Sequence, residues 1–293
     1  MAVTSFFSAF IVYKHISFIS FTGILQNLPK NFTTVLSVVK FCSILCEIIT
    51  ISGGIHMSIV SDIEKLKKEK NAVILAHYYV DEDVQDVADY IGDSFYLSKV
   101  ATKVSLDRII FAGVEFMGES AKILNPKKRV FMPDMNADCP MAHMADKDEI
   151  LALREKYDDL AVVCYINSTA ELKKYSDVCV TSSNAVKIVK NLPNKNIFFI
   201  PDRNLGSYVA KQCPDKNFIF NNGCCPRHVV ITKDMVLKAK ELHPEARFAA
   251  HPECTEDVLA FADYVGSTSG IIDYVVDTDA DEYIIGTHHQ LFR

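Results

Sequence analysis

No uninterrupted apolar run in this 293-residue chain reaches the ~18–20 residues that a membrane span needs. This argues against a membrane-spanning class, and a soluble protein is expected. No basic stripe appears either. The balance of 31 Lys and Arg against 37 Asp and Glu leaves a net charge of −6, which argues against nucleic acid as the main partner. The nine cysteines lack the spacing of a secreted disulfide framework. Several, Cys164 and Cys179 among them, lie inside apolar runs, as small buried hydrophobes do in a reducing cytosol. No Cys/His pair with zinc-ligand spacing stands out, which counts against a zinc-binding regulator. What is present, 49% apolar and 23% charged residues, describes a soluble globular protein large enough for two or three domains.

The first 56 residues do not match the rest. They are rich in Phe, Ile and Ser, carry one acid, Glu47, and are interrupted by Lys14, His15, Pro29, Lys30 and Lys40. They lack the basic, apolar, small-residue order of a signal peptide. The composition resembles AT-rich DNA read as protein, and Gly53-Gly54 lies just ahead of Met57. Two glycine codons can spell a ribosome-binding sequence, so Met57 is the expected start and residues 1–56 an expected non-native or disordered leader. A membrane-surface anchor is the competing reading.

From Ser58 onward one arrangement occurs three times. His77, Tyr165 and His251 each end an apolar run, at intervals of 88 and then 86 residues. Twelve residues after each comes an Asp: Asp89, Asp177 and Asp263. Five further on comes a hydroxyl: Ser94, Ser182 and Thr268. Nineteen beyond that, Gly113, Pro201 and Thr287 each close another apolar run. A repeat of this length is a domain rather than a solenoid turn, whose period is roughly 20 to 50 residues. The expected units are 57–142, 143–228 and 229–293.

Short apolar runs such as NAVILAHYY, LAVVCYIN and NIFFIPD read as buried parallel strands. They alternate with helical patterns such as SFYLSKVATKV and LGSYVAKQC. DEDVQDVADYI reads as an amphipathic helix with Val84, Val87, Ala88 and Ile91 on one side. The fold class is α/β: three homologous three-layer α/β/α domains with parallel sheets around a pseudo-threefold axis. Ligands in such sheets bind beyond the carboxyl ends of the strands, where His77, Tyr165 and His251 stand.

Units one and two go on to reach Cys139 and Cys225 at matching positions. The same count puts a third cysteine near position 311 to 313, so the third unit reads as incomplete. Three thiolates with an open fourth position suit an iron–sulfur cluster, zinc competes, and two ordinary buried thiols remain an alternative.

The motifs HYY…DVADYIGDS, FAGVEFMGESAKILNP, PDMNADCPMA, CYINS…SDVCVTSSNA, IPDRNLGSYVAKQ, GCCPRH, HPEC and DYVGSTSGI together resemble the quinolinate synthase family, in order, over about residues 58 to 287. The resemblance implies a transferase of NAD biosynthesis. It would condense iminoaspartate with dihydroxyacetone phosphate to quinolinate, phosphate and water, around a [4Fe–4S] cluster held by one cysteine per domain. It implies Cys139 and Cys225 as ligands, with Cys224 as bystander, and L-aspartate oxidase or aspartate dehydrogenase as supplier of iminoaspartate. His77, Tyr79, Tyr165, Asn167 and His251 match the family's substrate contacts, and Ser94, Ser182 and Thr268 lie where hydroxyls cradle anions. Glu253 is the candidate general acid/base, with His251 beside it, and Tyr79 the candidate proton relay. For any one hydroxyl the plainer reading is a helix cap. His143, His243 and Cys254 are expected to be structural or surface residues. The family pattern Ile-Gly-Thr-Glu gives way at His288, so the third ligand is expected to be absent and this chain, alone, inactive. The alternative function is a non-catalytic remnant that binds small dianions.

Overall fold

The structure is a computed structural model that describes residues 10–13 and 59–287. The chain divides into two units, residues 1–14 with 73–293 and residues 15–72. In the smaller unit the described part is a helix over residues 59–70, α1, whose Lys67 and Glu64 pair at 2.6 Å. Apart from residues 10–13, the expected leader, with Gly53-Gly54 and Met57, lies outside the described residues, as do His288 to Arg293.

The larger unit repeats one plan. In the first repeat β2 (Ala72–His77), α2 (Glu82–Asp86), β3 (Tyr90–Gly92) and α3 (Ser94–Lys103) are followed by β4 (Arg108–Ala112), α4 (Glu115–Leu124) and β5 (Arg129–Phe131). In the second, after α5 (Lys147–Lys156), come β6 (Leu160–Tyr165), α6 (Ala170–Lys174), β7 (Val178–Val180), α7 (Ala185–Asn191), β8 (Asn196–Ile200), α8 (Arg203–Gln212) and β9 (Asn217–Phe220). In the third, after α9 (Lys233–Leu242), come β10 (Arg247–Ala250), α10 (Glu256–Leu259), β11 (Tyr264–Val265), α11 (Thr268–Asp277) and β12 (Glu282–Gly286). The sheet orders are β3-β2-β4-β5, β7-β6-β8-β9 and β11-β10-β12-β1. Strand β1 (Phe10–Tyr13) takes the seat that β5 and β9 hold in the other sheets, but runs antiparallel to β12. The remaining pairings on β10 are parallel, as are β7 and β8 on β6.

Burial explains the unbroken apolar runs. Every residue of β6 is buried. Ala161, Val163 and Tyr165 pack into one apolar cluster, and Leu160, Val162 and Cys164 into another on the opposite face. In the third sheet Phe248, Ala250 and Ile284 likewise pack on one side and Ala249, Tyr283 and Ile285 on the other. Both faces of these sheets are covered, which is the three-layer α/β/α arrangement.

The three aspartates are clasps in the frame. Asp89, Asp177 and Asp263 each accept a hydrogen bond from a backbone amide of the preceding central strand: Ile74 at 2.8 Å, Val162 at 2.7 Å and Phe248 at 2.8 Å. Each Asp amide donates in turn to the carbonyl of that same residue. This double bond to one strand residue corrects the helix expected over DEDVQDVADYI. Helix α2 ends at Asp86, and Tyr90 to Gly92 pair with β2 as strand β3, so Ile91 lies on a sheet edge.

Candidate functional site

Each leading strand ends in a pair of side chains two residues apart: His77 and Tyr79, Tyr165 and Asn167, His251 and Glu253. The chain leaves each strand there in a turn or bend, and all six side chains line one cavity of about 580 Å³. That volume suits a small-molecule ligand, for which roughly 300–1,000 Å³ is usual. Ser94, Ser182 and Thr268 line the same cavity, as do Cys139 and Cys225. Cys224 does not, in keeping with the bystander role the motif implies.

The three hydroxyls are not helix caps. Asp93 caps α3 through Tyr96 N, Ser267 caps α11 through Gly270 N, and Asn184 precedes α7. Ser94 and Thr268 are the first residues of their helices, and Ser182 lies in the turn before α7. None of their oxygens is spent on a cap, so each can meet a ligand beside helix-start amides, Thr268 Oγ1 while also 3.2 Å from the Tyr79 hydroxyl.

Two histidines share a backbone device. Tyr79 N donates to His77 Nδ1 at 3.2 Å, and Glu253 N donates to His251 Nδ1 at 3.4 Å. With Nδ1 accepting, Nε2 carries the proton of the neutral ring. Burial, reinforced by the neighbouring His228, drives His251 down to about pH 4, so its ring is neutral near pH 7.

Glu253 lies deepest. His228 Nδ1 is 2.7 Å from its Oε2, and His251 Nδ1 3.6 Å. Burial alone would raise this carboxyl, but His228 above all, with hydrogen bonds from His228 and Tyr165, holds it down to about 2. Its Oε1 is buried with no hydrogen-bond partner, and so is Asn167 Oδ1. Two unpartnered acceptors in one cavity are costly unless a ligand satisfies them.

A chain of hydroxyls runs out from His228. Its Nε2 is 3.0 Å from Thr287 Oγ1, which is 3.5 Å from the Tyr79 hydroxyl, itself 3.2 Å from Thr268 Oγ1. Burial pushes Tyr79 up to about 12, so it holds its proton as a donor. Burial, then the charge of Glu253, raises Tyr165 as well. The path Tyr79–Thr287–His228–Glu253 links a weak acid to a carboxylate through groups that both donate and accept. The aromatic planes of His228 and His251 stack at 4.8 Å, which fixes both rings.

Cys225, His228 and Glu253 form a group able to hold a metal ion, their donor atoms lying within 4.8 Å of one another. His228 Nδ1 is 3.1 Å from Cys225 Sγ. The loop is set by Asp202, which caps α8 through Leu205 N at 2.8 Å and accepts from Cys225 N at 2.9 Å. Gly223 passes so close to the Pro201 carbonyl that a Cβ would collide with it. Burial, then Glu253, raises the Cys225 thiol, and burial raises Cys139. Both remain protonated thiols until a metal pays for their ionisation.

His228, Thr287 and Asp202 were not assigned to the site by sequence reasoning. The spacing Cys225-x-x-His228 was available, and the expectation that no ligand-spaced Cys/His pair exists is corrected by it. Thr287 had been seen only as a strand end. His143 pairs with Asp138 at the surface, His243 with Glu282, and Cys254 is buried against the Gly286 carbonyl, outside the cavity lining.

The sequence model of the family described as "Quinolinate synthetase A protein" matches residues 61–293. Curated relatives named quinolinate synthase include those of Fusobacterium nucleatum, 59% identical over 79% of this chain and 78% of its own length, and Caldicellulosiruptor saccharolyticus, 54% over 77% and 75%. That of Clostridioides difficile is 50% identical over 79% of this chain and 76% of its own length. A solved E-1-hydroxy-2-methyl-but-2-enyl-4-diphosphate reductase from Plasmodium falciparum matches 79% of this chain and 78% of its own length at 15% identity, with a TM-score of only 0.31. A match across nearly all of the repeats, together with relatives at half identity or better, means that the chain belongs to the quinolinate synthetase A family of enzymes.

Proposed function

We propose that this cavity condenses iminoaspartate with dihydroxyacetone phosphate, giving quinolinate, phosphate and water for NAD biosynthesis in the cytoplasm. The observation that carries the reading is the convergence of three strand-end pairs on one cavity with two unpartnered acceptors, Glu253 Oε1 and Asn167 Oδ1. The substrates are small and anionic. Ser94, Ser182 and Thr268 bind their carboxylates and phosphate, with His77, Tyr165 and Asn167 completing the contacts. Glu253, anionic near neutral pH, takes the proton beside the imine or carbonyl. Tyr79 returns a proton through Thr287 and His228, and the neutral His251 donates from Nε2.

Cys139 and Cys225 would hold a [4Fe–4S] cluster as two of its thiolate ligands; soft sulfur donors at the wall of a closed cavity fit that group. When bound, the cluster supplies a Lewis-acidic iron for a substrate oxygen. A single zinc on Cys225, His228 and Glu253 is a second reading, favoured by the closeness of those three donors. Iminoaspartate would come from L-aspartate oxidase or aspartate dehydrogenase.

The test is anaerobic. The full chain is loaded with ferrous iron and sulfide, desalted, analysed for both, and supplied with the two substrates while quinolinate is followed by chromatography. Bound iron and sulfide with quinolinate formation that Glu253→Gln abolishes support the reading and overturn the expectation that this chain alone is inactive. Loaded protein that binds both substrates and forms no quinolinate would point to the dianion-binding alternative. Zinc retained at one per chain, without sulfide, would favour the second reading.

A further inference from the structure

Away from the cavity, on the opposite face of the second sheet, two cysteines that the proposed reaction does not use are register partners. Cys164 of β6 pairs with Cys179 of β7. In-register residues of adjacent parallel strands project from the same face about 4.8 Å apart. That separation lies within the roughly 4.4–6.8 Å between the Cα atoms of disulfide-linked cysteines. Cys164 is fully buried in the cluster of Val162, Leu172 and Phe198, whereas Cys179 is exposed on an edge strand. Lys173 lies beside them. Its ammonium is anchored on Ser120 Oγ at 2.8 Å and the Phe116 carbonyl at 3.2 Å, and its charge reaches both sulfurs.

We propose that Cys164 and Cys179 are a thiol-oxidation site, a dithiol that hydroperoxides convert to a reversible cross-strand disulfide. The exposed sulfur meets the oxidant and the buried one resolves it. The Cys179 thiolate attacks an oxygen of hydrogen peroxide, the O–O bond breaks, and the departing hydroxide takes up the proton the pair released and leaves as water, giving the sulfenic acid. The Cys164 thiolate then attacks the Cys179 sulfur, the S–S bond forms, the S–O bond breaks, and a second water leaves. Two thiols and one hydrogen peroxide thus give one disulfide and two waters, an alkyl hydroperoxide giving its alcohol in place of the first water, with two electrons passing from sulfur to oxygen. The pair loses its first proton easily: Cys164 is brought down to about 7, chiefly because its thiolate accepts the hydrogen of the Cys179 thiol. That same bond, and then burial, raises Cys179, so the remaining proton rests on Cys179 until the two sulfurs exchange it. Proton exchange between the two sulfurs passes the charge to Cys179 when the oxidant arrives.

Strand spacing makes the bond labile. Side chains on neighbouring parallel strands start about 4.8 Å apart, wider than the ~3.8 Å between bridged Cβ atoms, so the disulfide is strained and easily reduced. The closure acts one residue before Tyr165 and three before Ser182, so it moves two strand ends that form the cavity.

The experiment uses the full chain, metal-free and under argon, treated with one equivalent of hydrogen peroxide, alkylated and digested with trypsin without reduction. Cleavage after Lys173 and Lys174 separates the two cysteines, so a linked peptide pair is diagnostic. The expected result is a Cys164–Cys179 link that forms at least tenfold faster than any other cysteine pair and disappears with dithiothreitol. In Cys164→Ser the Cys179 sulfenic acid persists, and labelling by a dimedone-type probe rises at least tenfold. Should that variant fold poorly, Cys179→Ala serves instead: Cys164 then resists peroxide at least tenfold better than in the parent chain. Oxidation of Cys179 without a link to Cys164, or a link no faster than one between Cys139 and Cys225, overturns the proposal. None of these readouts depends on the reaction proposed above.

Discussion

The first and third strand ends share a backbone and differ in chemistry. At both, a histidine ends the strand and its Nδ1 accepts from the amide two residues on. At the first, that second residue is Tyr79, a hydroxyl pushed up to about 12 by burial. At the third it is Glu253, a carboxyl held down to about 2 against burial, chiefly by His228. One frame therefore presents a proton donor on one side of the cavity and a proton acceptor on the other. Repetition supplies the positions, and the environment of each position supplies the charge state.

The sharpest way to break this pairing is Glu253→Gln, which keeps the shape and removes the base. Turnover is expected to fall by about 10³-fold or more, with a smaller change in KM, read from initial rates of quinolinate formation. A fall below about tenfold would mean that the third strand end is not the basic side. Tyr79→Phe tests the other half. It removes the hydroxyl between Thr268 and Thr287 and is expected to cost about 10²-fold in kcat. If Thr287→Val costs as much as Tyr79→Phe while Thr268→Val does not, the proton path runs through Thr287.

The shared frame is tested separately. Asp89→Ala, Asp177→Ala and Asp263→Ala each remove a carboxylate from a strand amide. Each is expected to cost about 1.5 kcal/mol in urea unfolding, a charged hydrogen bond discounted for its solvent exposure, and to leave kcat of the folded protein within about twofold. Unequal costs would show that the three clasps are not equivalent.

The smallest effect is in pH. Unfolded His251 binds a proton near 6.5, folded His251 only near 4. Between those values the unfolded chain holds more protons, so stability rises with pH, and it is lost as the solution is acidified. Metal-free protein is expected to lose about 1 kcal/mol between pH 7 and 5.5 from this residue, and His251→Gln to lose that much less over the same range.

Most of the frame was legible because its signals are local. Apolar runs of five or six residues mark strands buried on both faces, and the repeat of His77, Tyr165 and His251 marks their ends. The helix expected over DEDVQDVADYI failed because its apolar spacing is also met by a short helix followed by a strand. What decides is Asp89 binding back to Ile74, a contact the spacing of Val84, Val87 and Ile91 does not encode. The cavity was legible where residues recur, as with Ser94, Ser182 and Thr268. It was not legible at His228 and Thr287. Neither belongs to the threefold set of polar strand ends; His228 has a local signal only in its spacing from Cys225, and its contacts to Glu253 and Thr287, like that of Thr287 to Tyr79, cross between repeats. Strand β1 at the third sheet had no sequence signal either, since edge pairing needs only a free row of backbone groups.

The clasps and the cavity differ in how far along the chain their partners lie. Each aspartate binds an amide 15 residues away. Tyr79 reaches Thr268 and Thr287 across 189 and 208 residues, and Ser269 of the third repeat binds Asp93 of the first across 176. Short-range contacts close cheaply and long-range ones late. Each repeat is thus set to organise its own leading strand early in folding, while the proton path, which also runs through His228 of the second repeat, waits for all three to meet. A folding intermediate would have protected strand amides at Ile74, Val162 and Phe248 and an unformed cavity, so native-looking secondary structure would precede any ability to bind ligand.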